Sequence, residues 1–503
     1  MRKTLFIKNA LILTASSLIL RFAGIIFKVW LAQKIGSEGI GLYQLVFSVY
    51  VLASTFAISG TSTAVTRLVS EELALENTKS ALKVLRRAIE ISLIIAFISV
   101  AVVFFGAKYI SNTILGDIRT LPALKILPFS LPFIGVTSCV RGYFISRRKV
   151  TPNALSQIFE QAVRIILILF LVNKFFEKGL AACCFAVILG DIIAEILACF
   201  YLYINFLFDK KRLAFQNKNG KKVPIFRRIL HISVPITLGR YLNTGLRTAE
   251  NILVPKNLSK YPKSGHSALS QFGMIKGMAL PILFFPSAIL NAVSTLLIPE
   301  ISEAVALKRD AVVKSTCERI FKITTLVGVI FGAIFGTIGK EIGWIIYKSA
   351  DVGVLLVALS PIVPLMYLDS ICDGILKGLD QQAFTFRTAI SDSVIRIILI
   401  LFMLPKMGLN GFIIIMYFSN FLTCFLNVSR LLKISNANVK LLSSVFIPLA
   451  TALFVVFGTR LLLSHLTFLN TFWYSVIFCV FSCAIYILVL FALKIVKKEE
   501  FLR

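Results

Sequence analysis

Two pairs of basic residues stand in apolar surroundings. Arg21 and Lys28 are seven residues apart, and Arg240 and Arg247 repeat that spacing. Seven residues make about two helical turns, so each pair shares one helix face. Glu250 follows Arg247 by three residues and extends the second face. A base at mid-span costs roughly 2.5–3.5 kcal/mol, so four of them against lipid would cost on the order of 10 kcal/mol. They are expected to face protein or water instead. Lining a hydrated cleft between two halves of the molecule, they would suit an anionic, phosphate-bearing ligand, because arginine offers forked donors to phosphate. Snorkelling near span ends, combined with internal ion pairs, is the competing reading.

A second kind of charged pair recurs. The heptapeptide Arg-Ile-Ile-Leu-Ile-Leu-Phe occurs at Arg164–Phe170 and again at Arg396–Phe402, an offset of 232 residues. Glu160 precedes the first Arg by four residues, and Asp392 precedes the second by the same interval. Acid and base at this spacing largely satisfy each other on one helix face. Glu160/Arg164 and Asp392/Arg396 therefore read as internal braces, with gating or ion coupling as the alternative role. Glu250, Asp191, Glu195 and Asp369 are further acids in apolar stretches, and any of them could titrate during transport.

The elements that carry these residues are membrane helices. Hydrophobic residues make up 57% of the chain and mean hydropathy is +0.87, far above a soluble domain. Fourteen apolar spans are long enough to cross a bilayer, at about 9–33, 39–66, 88–108, 121–146, 153–174, 179–207, 229–255, 270–299, 319–339, 354–378, 383–405, 409–432, 440–463 and 471–494. Alternating polar strands are absent from the pattern, which argues against a β-barrel. The first span is too long for a signal-peptide core and is expected to remain as a helix. The net charge of +30 follows topology rather than nucleic-acid binding. Placing both termini in the cytoplasm collects most Lys and Arg on that side. The largest basic block, 208–228, reads as a topology determinant that touches anionic lipid.

The 232-residue offset also aligns Pro132 with Pro364, Gly142 with Gly374, Gly179 with Gly411 and Arg87 with Arg319. A shorter offset of 219 pairs Arg21 with Arg240 and Lys28 with Arg247. The chain thus reads as a parallel repeat of two six-helix lobes, 1–207 and 229–434, joined by the basic linker 208–228. Residues 435–503 add two helices without counterparts. Segments 71–88 and 303–322 mix charged and apolar residues at helical spacing and are expected to be amphipathic surface helices. The run 277–286 and the prolines Pro128, Pro132, Pro361 and Pro364 are expected to break their helices.

Several classes of chemistry find no support in the residues. The 9 cysteines form no metal-type pair, and eight of them fall in apolar spans, where buried thiols are ordinary. The 3 histidines are scattered. No phosphate loop, serine elbow or zinc-protease helix appears, so no catalytic residue, metal site or cofactor is assigned and the chain does not read as an enzyme.

A set of motifs gives the pattern a family. Arg21-Phe-Ala-Gly24, Gly-Ile-Gly-Leu-Tyr-Gln (39–44), Arg-Gly-Tyr-Phe (141–144), Ser-Gln-Ile-Phe-Glu-Gln-Ala-Val-Arg (156–164), Gly-Met-Ala-Leu-Pro (277–281), Ile-Pro-Glu-Ile-Ser-Glu-Ala (298–304) and Asp-Gly-Ile-Leu-Lys-Gly-Leu (373–379) resemble the stage V sporulation protein B-like family. That family lies in the multidrug/oligosaccharidyl-lipid/polysaccharide exporter superfamily, beside MurJ-type lipid II flippases. The resemblance implies an all-α polytopic fold of about fourteen helices, with two lobes in a V. It implies a flippase that moves an undecaprenyl-diphosphate-linked peptidoglycan precursor, or a related envelope glycan, across the bacterial plasma membrane by alternating access. Sporulation is the implied setting, and Arg21, Lys28, Arg240 and Arg247 would hold the diphosphate. A coupling ion, H⁺ or Na⁺, is left unassigned, as is the oligomeric state. Two other readings stay open: a cation-coupled drug exporter of the same superfamily, and a non-transporting scaffold for envelope synthesis.

Overall fold

A computed structural model of the chain describes residues 2–58, 60–211, 225–262, 265–288, 290, 301–463, 470–493 and 495. The middle of the basic linker (212–224) and the end of the eighth expected span (291–299) lie outside the described residues. Every regular element among the described residues is helical. Ten of these helices are long and apolar enough to cross a membrane. Large apolar side chains stand outward on them, with Phe105 and Phe454 about four-fifths exposed (83% and 79%). Water would disfavour such a surface and hydrocarbon would not.

Two of the ten are longer than one span. Ala15–Ala74 has 60 residues and Gln382–Ser435 has 54. At about 1.5 Å per residue each exceeds twice a bilayer core of about 30 Å. Each is broken at a glycine, Gly36 (φ 71°, ψ 177°) and Gly408 (φ 56°, ψ −132°). At Gly408 the chain doubles back. A Cβ built on Gly411 would lie 3.0 Å from the Met403 carbonyl oxygen, whereas eight residues of straight helix span about 12 Å. The expected boundaries between spans, at 33–39 and 405–409, bracket these two glycines.

The chain forms two compact units, Met1–Lys256 and Asn257–Arg503. The first contains α1 (Arg2–Ile58), α2 (Thr61–Ala74), α3 (Thr78–Tyr109), α4 (Leu131–Ser146), α5 (Thr151–Phe175), α6 (Leu180–Lys211) and nearly all of α7 (Ile225–Leu258). Its core packs Val65 and Leu68 of α2 against Leu85 and Ala88 of α3, Cys139 and Tyr143 of α4, Leu202 of α6 and Ile229 of α7. The repeat pairs α7 with the start of α1, yet its contacts place it with the first unit. One face of α7 explains this. Ser233 and Thr237 border Gly60, and Thr248 Oγ1 donates to the Ser48 carbonyl at 3.3 Å. Asn251 Nδ2 donates to Ser48 Oγ at 3.1 Å.

The second unit contains α8 (Asp310–Tyr347), α9 (Val363–Gly378), α10 (Gln382–Ser435), α11 (Ile447–Leu463) and α12 (Thr471–Ala492). The two helices without repeat counterparts, α11 and α12, pack on α8, with Val456 and Phe478 beside Ile334 and Ile338.

The repeat is written into the backbone. Left-handed residues recur at the 232 offset: Glu76 and Lys308 (φ 59° and 54°), Gly116 and Lys348 (71° and 54°), Arg148 and Asp380 (57° and 60°). Five of these six are not glycine, so the shape of each corner was kept although it favours glycine. Helices α4 and α9 begin and end at the same offset, and α3 and α8 begin at it.

The amphipathic surface helices expected at 71–88 and 303–322 are not separate elements. Residues 71–74 end α2, a turn at Glu76 follows, and α3 starts at Thr78. The second copy repeats the arrangement, with a turn at Lys308 before α8. The mixed charge belongs to the ends of long helices joined by tight corners. The expected helix breaks are present: 3₁₀ turns at Leu127–Ser130 and Ser360–Ile362, and a π-helix at Gly273–Ala279 followed by the short helix Leu280–Phe284.

Candidate ligand-binding cavity in the first unit

Three helices of the first unit are tied by one ionic chain. On α5, Glu160 and Arg164 meet one turn apart, with Arg164 Nη2 2.6 Å from Glu160 Oε1. Arg164 Nη1 also donates to Gln161 Oε1 at 2.9 Å. Arg164 Nε lies 2.9 Å from Asp191 Oδ1 on α6. The other oxygen of Glu160, Oε2, accepts from Arg141 Nη2 on α4 at 2.9 Å. Asn153 donates to the Arg141 carbonyl at 3.1 Å and fixes the same junction. A charge moved away from water needs such partners, because an uncompensated one is strongly destabilising.

The second copy of the heptapeptide is arranged differently. Arg396 Nη1 is 3.9 Å from Asp392 Oδ2, while Asp392 Oδ1 accepts from Ser419 at 2.5 Å. Asp369 accepts from Asn427 at 2.8 Å. At the repeat offset, Asp191 and Glu195 correspond to Thr423 and Asn427, and Arg141 corresponds to Asp373. Equal helices thus carry unequal charge.

Next to the first-unit brace is a cavity of about 320 Å³. Arg141 and Arg240 line it together with Glu195, so the lining carries two bases and one acid. Hydroxyls supply most of the remaining polarity: Tyr50, Ser54, Ser62, Thr63, Thr137 and Ser138. Arg240 reaches it from α7, where it stands at the edge of the face that meets α1. Arg141 reaches it from α4 while holding Glu160. Two guanidiniums among hydroxyls can engage phosphate oxygens and sugar hydroxyls in one space.

Arg240 is thus the one member of the expected cationic set in this lining. Arg21 and Lys28 are exposed on α1. Gly24 lies between them on the same face and approaches α5, a Cβ there standing 3.9 Å from Gln161 Nε2. Their face is therefore directed to the helix that carries Glu160 and Arg164. Arg247 is exposed two turns along α7 from Arg240, and Glu250 is buried. Sequence reasoning did not single out Arg141, because it lies close to the end of an apolar span. Its signal was available in the repeat, where it is opposed by an acid.

Known proteins resemble the chain in sequence and in fold. Residues 6–305 match the family described as polysaccharide biosynthesis protein. Stage V sporulation protein B of Bacillus subtilis (strain 168) is 27% identical over 521 residues, covering 100% of this chain and 98% of that protein. The lipid II flippase MurJ of the same strain is 22% identical, covering 84% of this chain and 82% of its own. A solved structure of lipid II flippase MurJ in an inward closed conformation superposes with a TM-score of 0.73 at 16% identity, covering 96% of this chain and all of that one. The expected resemblance to MurJ-type flippases is met in sequence and in fold.

Proposed function

Because this chain belongs to the polysaccharide biosynthesis protein family, we infer that it moves an anionic lipid-linked oligosaccharide across the bacterial plasma membrane by alternating access. The observation that carries this reading is the pairing of Arg141 with Arg240 in a cavity lined mostly by hydroxyls. A diphosphate flanked by a polyprenyl tail and a sugar needs cations for the phosphates and hydroxyls for the glycan. The names of the full-length relative and of MurJ support an undecaprenyl-diphosphate-linked peptidoglycan precursor as cargo and sporulation as its setting.

Further parts of the reading go with it. The two glycine-broken helices each supply two spans, and α7 and the segment from 268 supply two more, giving fourteen. The repeat defines a six-helix lobe over 1–207 and another over 229–434, joined by 208–228. The Lys and Arg bias supports cytoplasmic termini. Arg21, Lys28 and Arg247 serve the anion along its path, and Glu250, Glu160/Arg164 and Asp392/Arg396 are the groups to test for gating.

The cation-coupled drug exporter reading draws on Glu195 in the same cavity. The two bases facing that acid favour an anion. Reconstitution decides between them. Liposomes with the purified protein should translocate labelled lipid II or another polyprenyl-diphosphate sugar, and Arg240→Gln should abolish this while the protein stays folded. Export of cationic drugs that depends on Glu195, without movement of any polyprenyl diphosphate, would overturn the reading.

A further inference from the structure

We propose that the first unit carries a second anion site, where α2 meets the start of α7, and that it binds a phosphate group. The inference is independent of the transport reading. A cavity of about 370 Å³ is lined there by Arg67, Glu71, Arg227, Arg228, His231 and Ile232. None of these residues lines the cavity described above.

The arrangement of charge points to an anion. Glu71 sits between two guanidiniums, Oε1 at 3.1 Å from Arg67 Nε and Oε2 at 2.5 Å from Arg228 Nη2. Arg228 reaches Glu72 as well, at 3.4 Å. Arg227 and His231 have no acidic partner among the described residues. Three arginines and a histidine therefore surround a single lining carboxylate. An anion clamped by two arginines is how phosphate is commonly held. Glu71 occupies the place that phosphate would take. A phosphate monoester or a diphosphate brings more negative charge than a carboxylate and a further oxygen for Arg227 or His231, whereas a phosphodiester headgroup matches the carboxylate in charge and in its two free oxygens. The space equals that of about a dozen waters at their liquid share of roughly 30 Å³, enough for a phosphate and retained water.

The phosphate could belong to an anionic lipid headgroup or to a soluble ion. Ile232 gives the pocket an apolar wall, and Phe226, next to Arg227 in the chain, is more than half exposed. Basic pockets between membrane helices do hold headgroups. Displacing Glu71 would release its tie to Arg228 and leave Glu72 as the acid of α2 that holds this arginine.

The test uses the full-length protein in phosphatidylcholine nanodiscs, with and without phosphatidylglycerol. Retained lipid is counted by native mass spectrometry, and inorganic pyrophosphate is titrated by calorimetry. Binding of phosphatidylglycerol without pyrophosphate assigns the site to a headgroup, and binding of pyrophosphate extends it to soluble phosphates. Arg227→Gln, whose side chain holds no acid in the fold, should weaken binding about tenfold or more, as expected for losing one charge-assisted hydrogen bond. Glu71→Gln should strengthen it by a similar factor, because the internal competitor is lost. Absence of both ligands, or affinities unchanged in both variants, would overturn the proposal.

Discussion

Arg141 and Glu160 are 2.9 Å apart on successive helices, and the same carboxylate holds Arg164 through its other oxygen. One acid thus serves two bases, and only one of those bases also lines the cavity. Arg141→Gln should impair transport, whereas Glu160→Gln should release Arg141 and perturb transport indirectly. Their energetic coupling is expected at about 0.5–3 kcal/mol, the range for residues in one charged network. A double-mutant cycle on thermal unfolding in detergent measures it, and strict additivity would remove the link.

The two copies of the heptapeptide should differ in stability. Arg164 touches two acids and Gln161 at 2.6–2.9 Å, while Arg396 stands 3.9 Å from Asp392 and donates to the Met416 thioether at 3.0 Å. Arg164→Gln is therefore expected to lower the unfolding temperature more than Arg396→Gln. Equal losses would show that the second pair is as firmly held as the first.

Gly60 and Gly142 mark close approaches of different kinds. A Cβ on Gly60, where φ is 62°, would meet Thr237 Oγ1 at 2.7 Å, and one on Gly142 would meet the Ser62 carbonyl oxygen at 2.7 Å. Both alanine variants should lose about 1–3 kcal/mol or more. Thr237→Ala should recover part of the loss in Gly60→Ala, since it removes the obstructing hydroxyl. No side-chain change at Ser62 should rescue Gly142→Ala, since the obstacle there is backbone. Yields of monodisperse protein on size-exclusion columns distinguish the two.

Arg240 offers a test of phosphate recognition. Replacing it with Lys keeps the charge but loses the forked donor set. Arg240→Lys should retain partial transport and Arg240→Gln almost none, read as rates of labelled substrate movement in liposomes. Full activity in Arg240→Gln would place the anion elsewhere.

The all-helical, many-span class could be read from residue order, since apolar runs mark membrane helices and the 232-residue offset recurs in the backbone corners. The glycine breaks were legible for the same reason: polar or glycine residues interrupt the apolar runs near Gly36 and Gly408. The allegiance of α7 was not legible. Its hydroxyl face, Ser233, Thr237, Thr244 and Thr248, finds its partners at Gly60 and on α1 only through contacts between residues about 170 to 200 positions apart. Arg141 escaped for a different reason. Near a span end, an arginine that snorkels and one that turns inward look alike in sequence, and only the position of Glu160 separates them. The tight corners at Glu76 and Lys308 were hidden by charge patterns that resemble surface helices.

The reversal at Gly408 has a practical side. Two helices meet there through a single non-helical residue, so that corner presents helix ends and no loop. A protease added from that side would find no extended strand to cut. An antibody would have no flexible epitope, and an accessory protein would have nothing to wrap. Inserted tags should fail at this corner for the same reason, because any added residue must either lengthen a helix or open the hairpin.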